Sequence, residues 1–253
     1  SGNIGADAIA KATPDGYTVG VVTASTHAVA MSLSAKLPYD PLRDFTPLTM
    51  IGNSPYALVL YPGVPAKNVN ELVALARSKP GVLNYGSAGP ASLAHLAGAL
   101  FATLSDIQLT HVPYKSTAQS VVDLISGRLD MQFATIAPSL ANIRAGQLRA
   151  LAVTGRKRSE TLPEVPTMEE AGIKGYEATL WFALMAPAGL PPAIAARLNR
   201  ETVDILNSPE MKQTLAQQGF IQDPGTPDAL VAQIRSDIVK WRDVIAKTGI
   251  KPD

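Results

Sequence analysis

Cysteine is absent from all 253 residues, which excludes disulfides, thiolate nucleophiles, iron–sulfur clusters and every cysteine-based zinc site. Oxidising compartments stay open, because an exported protein can simply avoid thiols. An excess of one charge is missing as well. Lys and Arg number 22 against 21 Asp and Glu, a formal net charge of +1, so no nucleic-acid partner is expected. Long apolar runs are also lacking. A stretch such as Leu180 to Ala186 falls far below the roughly 18–20 residues needed to cross a bilayer, so no membrane-spanning segment is expected.

Catalytic signatures are equally scarce. The three histidines, His27, His95 and His111, are scattered rather than spaced to aim two imidazoles at one metal. Neither a nucleophile elbow, a P-loop nor a dinucleotide fingerprint occurs. No metal, no cofactor and no catalytic residue is therefore expected. The chain opens at Ser1-Gly2-Asn3 without Met or a signal-like segment, the mark of a processed or trimmed start.

What is present is an ordinary globular composition, 46% hydrophobic and 17% charged, long enough for one to two domains. Short β-rich runs alternate with helical patterns, the signature of an α/β fold with mostly parallel sheets. Strands are expected near 17–23, 56–61, 82–85, 109–112, 129–134, 148–154 and 178–186. Helices are expected at 69–78, 92–104, 116–126 and 138–145, then at 193–206, 211–218 and 227–247. Two stretches, Asn53-Ser54-Pro55 and Gly172–Gly175, look like crossings between domains. They predict one lobe from 1–55 plus 177–253, a second from 56–176, and a cleft between them.

The segment Asn84-Tyr85-Gly86-Ser87-Ala88-Gly89-Pro90-Ala91-Ser92 runs from a strand end through small residues into a helix. Unpaired N–H groups at a helix N-terminus, together with a flexible Gly loop, can wrap an anion. The same residues also serve as a plain N-cap and turn. On the following helix Leu93, Leu96, Ala97, Leu100, Phe101 and Leu104 form one apolar stripe, with His95 expected on the opposite side. Ser87 offers a hydroxyl, and the sequence supplies no adjacent general base for it. Two more strand ends offer hydroxyls without charged groups: Thr23, Ser25 and Thr26 after the first strand, and Thr135 and Ile136 after the fifth. Ligands gather at the carboxyl ends of strands in open α/β sheets, so Gly86, Ser87, Ala88, Gly89 and Ser92 lead, followed by Thr23, Ser25, Thr26, Thr135 and Ile136. Such a lining holds a small anion by dipoles and hydroxyl donors rather than by salt bridges. Elsewhere Arg156-Lys157-Arg158 and Lys115 read as solvated surface, and Trp181-Phe182 as strand core.

Taken in order, several stretches become recognisable: Gly2-Asn3-Ile4-Gly5-Ala6-Asp7, the turn Pro14-Asp15-Gly16-Tyr17-Thr18, and Leu83 to Phe101 with its Gly-Ser loop. Further on come His111-Val112-Pro113-Tyr114-Lys115, Leu148 to Thr154, Leu162 to Thr167, and Trp181 followed by Ala186-Pro187-Ala188-Gly189. Over essentially its whole length the chain resembles the Bug-type periplasmic substrate-binding proteins of tripartite tricarboxylate transporters. The resemblance implies a two-lobed, periplasmic-binding-protein-like (flytrap) fold. It also implies a periplasmic location, a small organic acid ligand and delivery to membrane permease subunits. In that family backbone and hydroxyl donors from two loops grip a carboxylate. The stretch from Gly86 to Ser92 resembles one of these loops, and those at Thr23–His27 and Thr135–Ala137 resemble further parts of the pocket. Members carry a strand, a Gly/Pro-rich loop and a helix upstream of the Gly-Asn-Ile-Gly motif. Without that segment a free sheet edge and exposed apolar surface are expected.

The expectation is thus a non-enzymatic solute receptor. Its rivals are an α/β enzyme using Ser87 and a signalling module that presents its ligand to a sensor.

Overall fold

The computed structural model describes residues 2–33, 36–90, 92–248 and 250. Ser1 of the opening tripeptide and Ala91 of the Gly-Ser loop lie outside the described residues. In chain order the elements are α1 (Asn3–Ala10), β1 (Gly20–Thr23), a π-helical turn (Ser25–Val29) leading into α2 (Ala30–Leu33), β2 (Phe45–Leu60), α3 (Val69–Ser78), β3 (Asn84–Ser87), α4 (Leu93–Ser105), β4 (Thr110–Pro113), α5 (Thr117–Ile125) and β5 (Met131–Thr135). There follow α6 (Ile136–Arg144), β6 (Arg149–Val153), β7 (Thr179–Pro187), α7 (Pro192–Asn207), α8 (Pro209–Gln217), β8 (Ile221–Gln222) and α9 (Pro227–Thr248).

Two compact units share the chain. Ser1–Asn53 with Leu180–Ile245 make the first, and Ser54–Thr179 with Ala246–Lys251 the second. In the first, β1 pairs antiparallel with β7, and the early part of β2 pairs antiparallel with β8 at Gly52 and Asn53. In the second, the late part of β2 lies antiparallel to both β5 and β6, while β3 runs parallel to β4 and to β5. The α/β class holds. The pairing, however, is mixed rather than mostly parallel, because only the βα units around β3, β4 and β5 return by a helical crossover.

A strand was expected to begin at Tyr56, after the breakers Asn53-Ser54-Pro55, but β2 is continuous from Phe45. In its ladders with β8, β5 and β6, residues 54 and 55 fall between the paired stretches. The missing N–H of Pro55 is therefore not called upon there. The helix α1 and the π-helical turn were not anticipated. Within the first unit Tyr17, Val21 on β1, Ile4 on α1 and Met31 on α2 are exposed.

Capping explains where several helices begin. Asn68 accepts the Glu71 amide at 2.9 Å while the Glu71 carboxylate accepts the Lys67 amide at 2.8 Å, a reciprocal closure of the first turn of α3. Helix α4 is buried along its whole first half. It packs against β3 and β5, and Tyr176 donates its hydroxyl to the Ala97 carbonyl at 2.9 Å. His95 is consequently buried rather than turned away from the apolar stripe, and Leu104, expected within that stripe, is exposed.

Trp181 is buried as expected. Its indole N–H donates to Asp237 at 2.6 Å, and Asp237 also pairs with Lys240 at 2.7 Å. The acid is thus left neither unpaired nor unbonded inside the first unit.

Candidate functional site

The parallel register of the second unit decides which loops meet. Tyr85 lies across from His111 on β4 and from Met131 on β5, so β3, β4 and β5 end on one edge. Three helices start there: α4 after N-cap Ser92, α5 after N-cap Ser116, and α6 after Thr135. Each presents amides with no intrahelical acceptor at a partially positive end. The connecting loops carry no acidic side chain, and the exposed Lys115 is their one basic residue.

Gly86, Ser87, Ala88, Gly89, Ser92, Thr135 and Ile136 are gathered at this edge. Gly86 is the last residue but one of β3, and a Cβ there would lie 2.6 Å from Leu129 Cδ1 and 2.9 Å from Ser120 Cβ. Gly89 has φ +101°, a conformation that side chains with a Cβ resist. Ala88 is exposed, Ile136 is buried, and Thr135 is half-buried with no side-chain capping bond. Thr23, Ser25 and Thr26 belong instead to the first unit, where β1 runs into the π-helical turn.

The serine hydroxyls are occupied locally. Ser87 is fully buried; its Oγ accepts the Gly89 amide at 3.1 Å and lies 3.0 Å from the Gly89 carbonyl and 2.6 Å from His111 Nε2. Ser92 donates to the Gly89 carbonyl at 2.8 Å and accepts the His95 amide at 3.3 Å. Both hydroxyls staple the turn. The donors they leave at the helix start are the amides of Leu93 and Ala94, ahead of the capped His95 amide. At the end of β1, Thr26 does the same: its hydroxyl contacts the Thr23 amide, the Thr23 carbonyl and His27 Nδ1, at 3.0–3.1 Å.

Two residues missed by sequence reasoning complete the arrangement. His111 touches Ser87, and its ring stacks on that of His95, with centroids 3.7 Å apart and planes within 6°. His111 stands far from Ser87 and His95 in the sequence and in no repeating pattern with them, and only the parallel register of β3 and β4 brings them together. Burial, and then the neighbouring His111, lower the His95 pKa to about 4; burial lowers that of His111. Both rings are neutral at pH 7. They also border a groove of about 710 Å³ with Tyr85, Ala99, Asp106 and Lys247 among its walls, which reaches toward the start of β4 rather than the helix N-termini.

The remaining candidates stay apart. Arg156 pairs with Glu177 at 3.0 Å and Arg158 with Glu170 at 2.8 Å. His27 is fully buried against Tyr39 and Phe45. Among the described residues no cluster of His, Asp or Glu is suited to a metal ion, and no helix is long and apolar enough to cross a membrane.

Comparison with known proteins adds to this geometry. The family model described as tripartite tricarboxylate transporter family receptor matches residues 1–250. BugT of Bordetella pertussis is 36% identical over 251 residues, 99% of this chain and 77% of that protein. Among solved structures, Rpa4515 of R. palustris with adipate superposes with a TM-score of 0.86 at 35% identity, covering 100% of this chain and 84% of that one. MatC from Rhodopseudomonas palustris with bound malate gives 0.79 at 30% identity, covering 96% and 84%.

Proposed function

The chain belongs to the tripartite tricarboxylate transporter family of receptors, and from that premise we propose that it captures a small organic carboxylate in the periplasm and hands it to the membrane permease of such a transporter. The observation that carries the reading is the shared edge of β3, β4 and β5. Three helix N-termini open on it through loops free of acidic side chains. A carboxylate there meets backbone amides and helix dipoles without a buried counter-charge, which suits reversible capture. Two relatives hold dicarboxylates, adipate and malate, and this reading extends that ligand class to the present chain.

In this reading the leading residues divide their work. Leu93 and Ala94 amides and the Thr135 hydroxyl face the ligand, while Gly86, Ser87, Gly89 and Ser92 set the turn that aims them. Ala88 and Ile136 line the edge.

The contact between Ser87 and His111 favours one other reading, a hydrolase with a serine nucleophile and a histidine base. Burial counts against it, since Ser87 has no exposed surface and its Oγ already accepts the Gly89 amide. The two readings separate in one experiment. Thermal unfolding is followed with adipate, malate and a panel of other mono-, di- and tricarboxylates, and hydrolysis of their esters is assayed in parallel. Ligand at 100 times its dissociation constant adds about 2.7 kcal/mol of stability. A raised Tm without ester turnover supports the receptor. No shift with any carboxylate at millimolar concentration overturns it.

A further inference from the structure

Resting on the carboxylate reading of the α4 N-terminus, we propose that His111, braced by the stacked His95, is a positioning residue that fixes the Gly86–Ser92 turn through the Ser87 hydroxyl and so sets where the α4 amides point.

Strand register puts the parts in place. Tyr85 and His111 are directly paired on β3 and β4. Alternation along the strand returns Ser87 to the same face two residues on, as a diagonal neighbour of His111. Ser87 Oγ accepts from the Gly89 amide and has a single hydrogen to donate. The Gly89 carbonyl already accepts from the Ser92 hydroxyl at 2.8 Å, so the 2.6 Å contact between Ser87 Oγ and His111 Nε2 is a full hydrogen bond in either ring tautomer, and it ties the Ser87 hydroxyl to β4.

The brace continues into the helix. His95 is the third residue after the N-cap, its amide is held by Ser92, and its ring lies flat against His111. Tyr85 flanks both imidazoles, at 6.2 Å from His95 and 5.1 Å from His111, and its hydroxyl donates to the His95 carbonyl at 3.3 Å. Strand β4, the turn and the first turn of α4 are thus joined through neutral side chains. The turn can therefore hold its shape without placing a cation beside the ligand.

The test compares His111→Phe, which keeps a flat ring for His95 and removes the hydrogen-bonding nitrogen, with His111→Gln, which restores a hydrogen-bonding amide at similar reach. Amide exchange at Gly89 and in the first turn of α4 is measured by NMR, with carboxylate affinity measured by calorimetry on the acid that gives the largest thermal shift. Loss of one hydrogen bond to a buried turn corresponds to about tenfold. Gly89 exchange and the dissociation constant are both expected to rise by about that factor in His111→Phe and to recover in His111→Gln. Unchanged Gly89 exchange in a folded His111→Phe overturns the proposal, as does equal damage by both substitutions. If His111→Phe does not fold, His111→Gln against Ser87→Ala decides. Wild-type-like exchange in the former and faster Gly89 exchange in the latter support the proposal, and the same exchange in both overturns it. Should the wild type bind no carboxylate, the receptor reading fails while Gly89 exchange still judges the positioning role.

Discussion

Two strand ends in this molecule solve one problem differently. After β1 and after β3 the backbone must leave a strand and enter a helix, and at each place a buried hydroxyl, Thr26 or Ser87, is tied to backbone and to a histidine ring. At β1 the turn is tight and closed. Ala24 already has helical angles, φ −49° and ψ −38°, and the next five residues form a π-helical turn around the lone, fully buried His27. At β3 the turn swings through a positive-φ glycine with exposed Ala88 and Pro90, and a regular helix follows from N-cap Ser92. Similar chemistry thus makes a sealed joint in one unit and a more open one in the other.

Acid tests this contrast most strongly. Burial holds His27 at about pKa 4, and burial with the adjacent His111 holds His95 at about 4, against 6.5 for the ordinary side chain. The unfolded chain takes up these protons first. The stabilising effect of the neutral rings is therefore complete above pH 6.5 and is lost as the pH falls toward 4. Each ring is expected to contribute on the order of 2 kcal/mol to the loss. Urea unfolding at steps between pH 7.5 and 4 should show the decline, and His27→Gln and His95→Gln should each flatten part of it. A slope untouched by either change would remove burial as the cause.

Removing the hydroxyls comes next. Thr26→Val orphans the Thr23 amide and His27 Nδ1 in a sealed turn and should cost about 1–3 kcal/mol of stability. Ser87→Ala orphans the Gly89 amide beside exposed loop residues, where water can replace the lost partner, and about 1 kcal/mol is expected. Urea midpoints give the ranking. Equal losses would mean that the β3 turn is as sealed as the β1 turn.

These differences also explain what the letters could convey. Helix α3 was legible to the residue because its stop, Pro80-Gly81, and its start at Asn68 are local events. The leading loop was legible because a Gly-Ser run ahead of an apolar helix is a local pattern too. The pairing of Ser87 with His111 was not, because it depends on which strand lies beside β3. The burial of His95 was hidden for the same reason: a one-sided stripe predicts one buried face, whereas Tyr176 and the strands cover α4 from several directions. The long strand β2 was cut short because Pro55 breaks a strand only where its N–H is called upon. Whether a serine hydroxyl staples its own turn or is left as a free donor was not legible either. Composition cannot distinguish the two.

The smallest effect comes from exchanging the backbone habits of the two ends. Gly89→Ala places a Cβ at φ +101°, with the Tyr114 carbonyl oxygen 3.5 Å away. That distance is ordinary contact, so the penalty is conformational, about 1 kcal/mol. Ala24→Gly works in the opposite sense: it loosens a position already in the helical region and should cost roughly 0.5–1 kcal/mol through the greater freedom of the unfolded chain. Although similar in stability, the two should part in carboxylate binding. Gly89→Ala shifts the turn that aims the α4 amides and should weaken affinity measurably, whereas Ala24→Gly leaves that turn untouched. Calorimetry on both variants checks this, and equal weakening would assign the sealed end of β1 as large a share in ligand capture as the open end of β3.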